Sequence, residues 1–61
     1  MNALKQGDRI KVTDKRSIYL GYFGTAEKVD EHTVHIRMDN GGEMKKSIES
    51  AADPKQLRIL A

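Results

Sequence analysis

The amino-acid sequence predicts an all-β fold, five short strands curled into a small barrel. Three features of the chain point there. Polar and apolar residues alternate with period two in Arg9-Ile10-Lys11-Val12-Thr13 and, most cleanly, in Thr33-Val34-His35-Ile36-Arg37-Met38. Gly21 and Gly24 bracket Tyr22-Phe23, where a strand of a tightly closing sheet must kink. Asp39-Asn40-Gly41-Gly42 supplies turn chemistry between two such strands. A helical reading fails, because no apolar stripe at i, i+3, i+4 survives the glycines.

Taken in order, residues 1–6 show no period and are expected to fray, with Leu4 closing one end of the barrel. Gly7-Asp8 turns into a first strand, Arg9 to Thr13, with Ile10 and Val12 facing inward. Asp14-Lys15-Arg16-Ser17 is a polar loop, and the β-prone Ile18-Tyr19-Leu20 reads as a hairpin arm or the start of the next strand. Alternation through that segment puts Tyr19 with Gly21 and Phe23 on one face and Tyr22 with Ile18 and Leu20 on the other. The strand runs on from Thr25 to Val29, where Ala26 and Val29 both face inward only if a bulge shifts the register between them.

Asp30-Glu31-His32 is a polar turn before the strand Thr33 to Met38, whose inward set is Val34, Ile36 and Met38. A tight primed turn at Asn40-Gly41 then returns the chain into Glu43 to Ile48, which points Met44 and Ile48 inward and gives Lys46 the same parity. In Ser50 to Gln56, Asp53 suits the cap and Pro54 the first position of one helical turn. Leu57 to Leu60 closes the barrel with Leu57 and Ile59 inward. This set of strands, tight turns and one short helical turn before the last strand predicts a five-stranded SH3-like barrel, with residues 1–61 as a single domain. The rival, an OB-like barrel, usually needs a longer chain.

Gly7-Asp8-Arg9-Ile10-Lys11-Val12 followed by Gly21-x-x-Gly24-Thr25-Ala26-x-x-Val29 resembles the KOW pattern of ribosomal proteins and transcription elongation factors. Val34-x-Ile36 and Asp53-Pro54-x-x-Leu57 are similar to the later strands of KOW-like barrels. The resemblance implies an SH3-like barrel and a nucleic-acid partner. Where that pattern usually carries lysine and glycine between its first two strands, this chain has the longer, more aromatic stretch Asp14 to Phe23.

Composition limits the chemistry. The chain has no cysteine, which excludes thiol catalysis, disulfide staples and cysteine-based zinc sites. His32 and His35 fall on opposite faces of a strand and cannot complete a four-ligand site, so neither a metal nor another cofactor is expected. No paired nucleophile and base and no phosphate-cradling glycine loop is present, so no enzyme is expected. A net charge of +2, with 33% charged residues, permits a nucleic acid or an acidic protein as partner and demands neither. No apolar run nears the roughly 20 residues that span a bilayer. A cytoplasmic location, without membrane contact, is the expectation.

The candidate contact residues are basic and aromatic. Arg9, Lys11, Lys15, Arg16, Arg37, Lys45 and Lys46 are the basic residues expected on strand exteriors and loops, where with Lys28 they can track a phosphate backbone. The same charges, interleaved with Asp8, Asp14, Glu27 and Glu43, also read as ordinary solvating residues. Tyr19 and Tyr22 lie just beyond Lys15 and Arg16, where an exposed ring stacks on a base or anchors a peptide. Phe23 is assigned to the core or its rim, because so small a chain has few rings to fill it. His35, between outward Thr33 and Arg37, is a further surface contact. These residues point to a non-catalytic binding module that meets RNA or DNA through a basic strand face and an aromatic, basic loop. The alternatives are a protein-interaction module or small docking subunit of a larger complex, and self-association through an open strand edge.

Overall fold

The computed structural model describes residues 4–60 of the chain. Five antiparallel strands form one curled half-barrel: β1 (Arg9–Val12), β2 (Phe23–Val29), β3 (Thr33–Met38), β4 (Glu43–Ser47) and β5 (Leu57–Ile59), with a short helix, α1 (Ile48–Ala51), after β4. The sheet order is β4-β3-β2-β1-β5, so the last strand returns to pair with the first. The all-β expectation holds in this architecture.

The period-two pattern decides which face is dry. Ile10, Val12, Ala26, Val34, Ile36, Met38 and Leu57 all point to the concave side and are buried there with Ala51 of α1. Each large aliphatic side chain among them contributes about 1.5–3 kcal/mol by leaving water. A register shift between Ala26 and Lys28 lets Ala26 and Val29 both turn inward, as the spacing requires. Leu4 packs against this core and, with Val29, Ile48 and Ile59, lines an apolar hollow of about 250 Å³ at one barrel end. The expected fraying of residues 1–6 concerns, at residues 1–3, positions outside those described. Lys5 is held to Asp8 by two hydrogen bonds, Lys5 N to Asp8 Oδ2 at 2.8 Å and Asp8 N to Lys5 O at 3.0 Å.

Gly24 is where β2 passes closest to β3. A Cβ there would lie 2.9 Å from both the Arg37 carbonyl oxygen and Ile36 Cγ2. Only a residue without a side chain admits that approach.

Four local expectations need correction. Ile18-Tyr19-Leu20 is not a strand arm: it lies in a chain of turns, with Leu20 N donating to Ser17 O and Tyr22 N to Tyr19 O. Strand alternation therefore does not separate Tyr19 from Tyr22, whose rings meet edge-on with centroids 5.9 Å apart. The β3–β4 turn is not of the primed kind, because only Gly41 has positive φ (94°) and Asn40 does not. Met38 N donates to Gly42 O and Gly41 N to Met38 O, which is a wider turn with a glycine bulge. The helix also comes earlier than Asp53-Pro54: Ser47 Oγ accepts from Ser50 N and caps α1, which cuts the fourth strand at Ser47 and turns Ile48 into the helix. Asp53 instead closes a turn, accepting from Lys55 N through Oδ1 at 2.9 Å and from Gln56 N through its carbonyl at 2.9 Å.

Candidate nucleic-acid interface

The outward side chains of the sheet fall into rows across the strands, because antiparallel register sets each residue beside its partner. In one row Arg58 of β5, Lys11 of β1 and Phe23 of β2 are direct neighbours. Lys11 Nζ lies 5.7 Å from the Phe23 ring centroid, within cation–π range. Phe23 is exposed, which corrects its assignment to packing in the core or at its rim. The pleat decides this. Gly24 and Ala26 face inward, so Phe23 and Thr25 face out, however few rings the core has.

The next row holds Arg9, Thr25, Arg37 and Glu43. Both arginines are already occupied. Arg9 donates from Nη1 and Nη2 to the two carboxylate oxygens of Asp39, each at 2.7 Å, and from Nη1 to Thr25 Oγ1 at 2.9 Å. Arg37 donates from Nε and Nη2 to the Glu27 carboxylate. These charge-assisted bonds hold the Asp39 and Glu27 carboxyls below their usual range and raise both guanidinium groups, and in each pair the hydrogen bond is the main cause. A third row, Lys28, His35 and Lys45, spans β2, β3 and β4, with His35 Nε2 3.9 Å from Asp30 Oδ2. The basic strand face expected from the sequence is therefore two cationic rows with a neutralised row between them.

Above the first row stands the β1–β2 loop. Val12 N donates to Tyr22 O and Gly21 N to Val12 O, so its ends are tied together at the strand. Arg16 N and Ser17 N bond to Asp14, and Tyr19 N bonds to Ser17 Oγ at 3.0 Å, so its turns are fixed from within. Tyr19 is half-buried against the core, and its hydroxyl covers Gly42 of the β3–β4 turn. Tyr22 is exposed. Every large apolar side chain left exposed among the described residues belongs to this loop or to the first residue of β2: Ile18 at 87%, Leu20 at 48%, Tyr22 at 47% and Phe23 at 42%.

No known protein family, curated protein or solved structure matches the chain.

Thr13 has the same outward parity as Lys11 and opens a groove of about 430 Å³ whose cations are Lys15, Arg16 and Lys55. Thr13 Oγ1 donates to Pro54 O at 2.8 Å, while Thr13 N and Asp14 N both donate to Gln56 O, which fixes the two walls. Lys55, Arg58 and Phe23 are absent from the contact set read from the sequence. Parity between inward Leu57 and Ile59 identifies Arg58, and parity opposite to that of inward Ala26 identifies Phe23; nothing local in the sequence marks Lys55 as a neighbour of Lys15. Among the described residues no group of three or more His, Cys, Asp or Glu side chains is arranged to hold a metal ion, and no helix is long and apolar enough to cross a membrane.

Proposed function

We propose that the half-barrel is an SH3-like barrel serving as a non-catalytic binding module for single-stranded RNA or DNA. The sheet order, with β5 returning to β1 after a short helix and a turn, supports the first part. One observation carries the second: Phe23 stands exposed on the sheet's outer face with Lys11 against its ring and Arg58 beside Lys11. An apolar ring held in water at the end of a row of two cations matches what a base and its neighbouring phosphates need, since stacking uses the ring face and the backbone charge meets the lysine and arginine. Tyr22 extends the aromatic surface, and Lys15 and Arg16 continue the positive track into the groove. Arg9 and Arg37 contribute little, because their guanidinium edges already face carboxylates. Lys45 and His35 lie a row further on and are reached only by a longer strand.

Fluorescence anisotropy with a labelled oligonucleotide, run with RNA, single-stranded DNA and duplex DNA, tests this. Log affinity is expected to fall with log salt at a slope of about 0.7 for each phosphate engaged on a single strand. Phe23→Ala is expected to weaken binding by about 1–3 kcal/mol, the usual value of one stacked base. Lys11→Glu weakens it further and flattens the salt slope. Affinity independent of salt, or unchanged by Phe23→Ala, overturns the reading.

A further inference from the structure

The apex of the β1–β2 loop carries a feature that nucleic-acid binding does not use. Ile18 is the most exposed large apolar residue of the described chain, and Leu20 stands two residues on. Neither has a π-face, so neither gains by meeting a base. Both sit on a loop whose backbone turns are closed by hydrogen bonds to Asp14 and Ser17. Beside them runs the groove of Lys15, Arg16 and Lys55, whose one carboxylate, Asp14, accepts from Arg16 N at 2.9 Å. Exposed aliphatic side chains next to three cations that share one carboxylate, Asp14, at 3.9 Å from Arg16 Nε, set two requirements on whatever covers them: apolar anchors and negative charge.

We propose that Ile18 and Leu20, with the Lys15–Arg16–Lys55 groove, dock an acidic, apolar-anchored peptide segment of a protein partner. A second copy of the chain does not meet the charge requirement. A two-fold contact through this apex sets Lys15 and Arg16 against their own kind. The docking site shares Lys15 and Arg16 with the nucleic-acid track and departs from it at Ile18, so the two ligands compete at the groove and respond to different substitutions.

A display library of random short peptides, selected on the wild-type chain, tests the proposal directly. Enriched peptides are expected to combine Asp or Glu with Leu, Ile or Phe, and to lose at least about tenfold in affinity on Ile18→Ser or Leu20→Ser, the scale of a central interface anchor. Phe23→Ala is expected to leave them bound. Ile18→Ser lies in solvent, adds no charge, and is expected to keep the wild-type unfolding midpoint and the wild-type oligonucleotide affinity, which separates this outcome from failure of the nucleic-acid reading. Peptides without acidic residues, or peptides that bind Ile18→Ser as well as wild type, overturn the proposal. So do Ile18-dependent binding to vesicles of anionic phospholipid and Ile18-dependent dimerisation in sedimentation.

Discussion

Two adjacent rows of the outer face carry the same kind of residue to opposite ends. Arg9 and Lys11 are two positions apart on β1 and both point to solvent, so by sequence they are equivalent. Register makes them different. Arg9 lies opposite Thr25 and within reach of Asp39, which takes both its Nη atoms. Lys11 lies opposite Phe23 on one side and Arg58 on the other, and among the described residues it forms no ion pair. The same contrast separates Arg37, held by Glu27, from Lys45 one strand away. An outward cation is thus available to a ligand only where the neighbouring strand brings it no carboxylate. Counting basic residues on a face overstates what the face can bind.

The sharpest way to break this contrast is to disturb the register that creates it. Gly24 lies between Phe23 and Thr25, the two residues that define the rows, and its missing side chain lets β2 approach β3. Gly24→Ala gains about 0.4–1 kcal/mol from a stiffer unfolded chain. Against that, the new Cβ meets the Arg37 carbonyl oxygen at 2.9 Å, a backbone atom that cannot swing aside. Overpacking of this kind costs about 1–3 kcal/mol and wins. The urea midpoint of Gly24→Ala is expected to fall accordingly, and oligonucleotide affinity to fall with it as Phe23 and Lys11 lose alignment. An unchanged midpoint would show that β2 and β3 have room to part.

The strands were legible in the sequence because alternation and the pleat state the same thing: Ile10, Val12, Val34 and Ile36 are buried as their parity requires. The bulge after Ala26 was legible for the same reason, as a conflict of parity that only an extra residue resolves. The helix was misplaced because Ser47 and Asp53 are both good caps, and which one starts a helix depends on Ile48 and Ala51 finding the core. Phe23 was misread by letting scarcity of rings outweigh parity. The ion pairs were not legible at all. Arg9 and Asp39 are separated by 30 residues, and their meeting needs the β3–β4 turn to fold back beside the start of β1.

Releasing a held arginine is a gentler way to sharpen the contrast. Asp39→Asn removes the charge that occupies Arg9 while keeping a side chain of the same shape. Arg9 then resembles Lys11, and oligonucleotide binding is expected to tighten a few-fold, with the salt slope steeper by about 0.7, one further phosphate. The measurement is the same anisotropy titration at several salt concentrations. If affinity is unchanged, Arg9 lies off the path of the bound strand, and the path is confined to the Lys11 row and the groove.

Glu27→Gln gives the smallest effect and separates pairing from packing at Arg37. The Arg37 hydrogen bonds hold the Glu27 carboxyl below its ordinary value of 4.5. A carboxyl lowered by folding stabilises the fold fully above that ordinary value and loses its contribution as acid protonates it through the lower, folded value. Wild type is therefore expected to show a slightly higher urea midpoint than Glu27→Gln near neutral pH. The two midpoints should converge as pH falls below 4.5, and at neutral pH the gap should narrow with added salt, because both side chains lie at the surface. A gap that persists unchanged in acid and in high salt would mean that the charge pairing with Arg37 is not its source, and that Arg37 is less firmly withdrawn from ligands than Arg9.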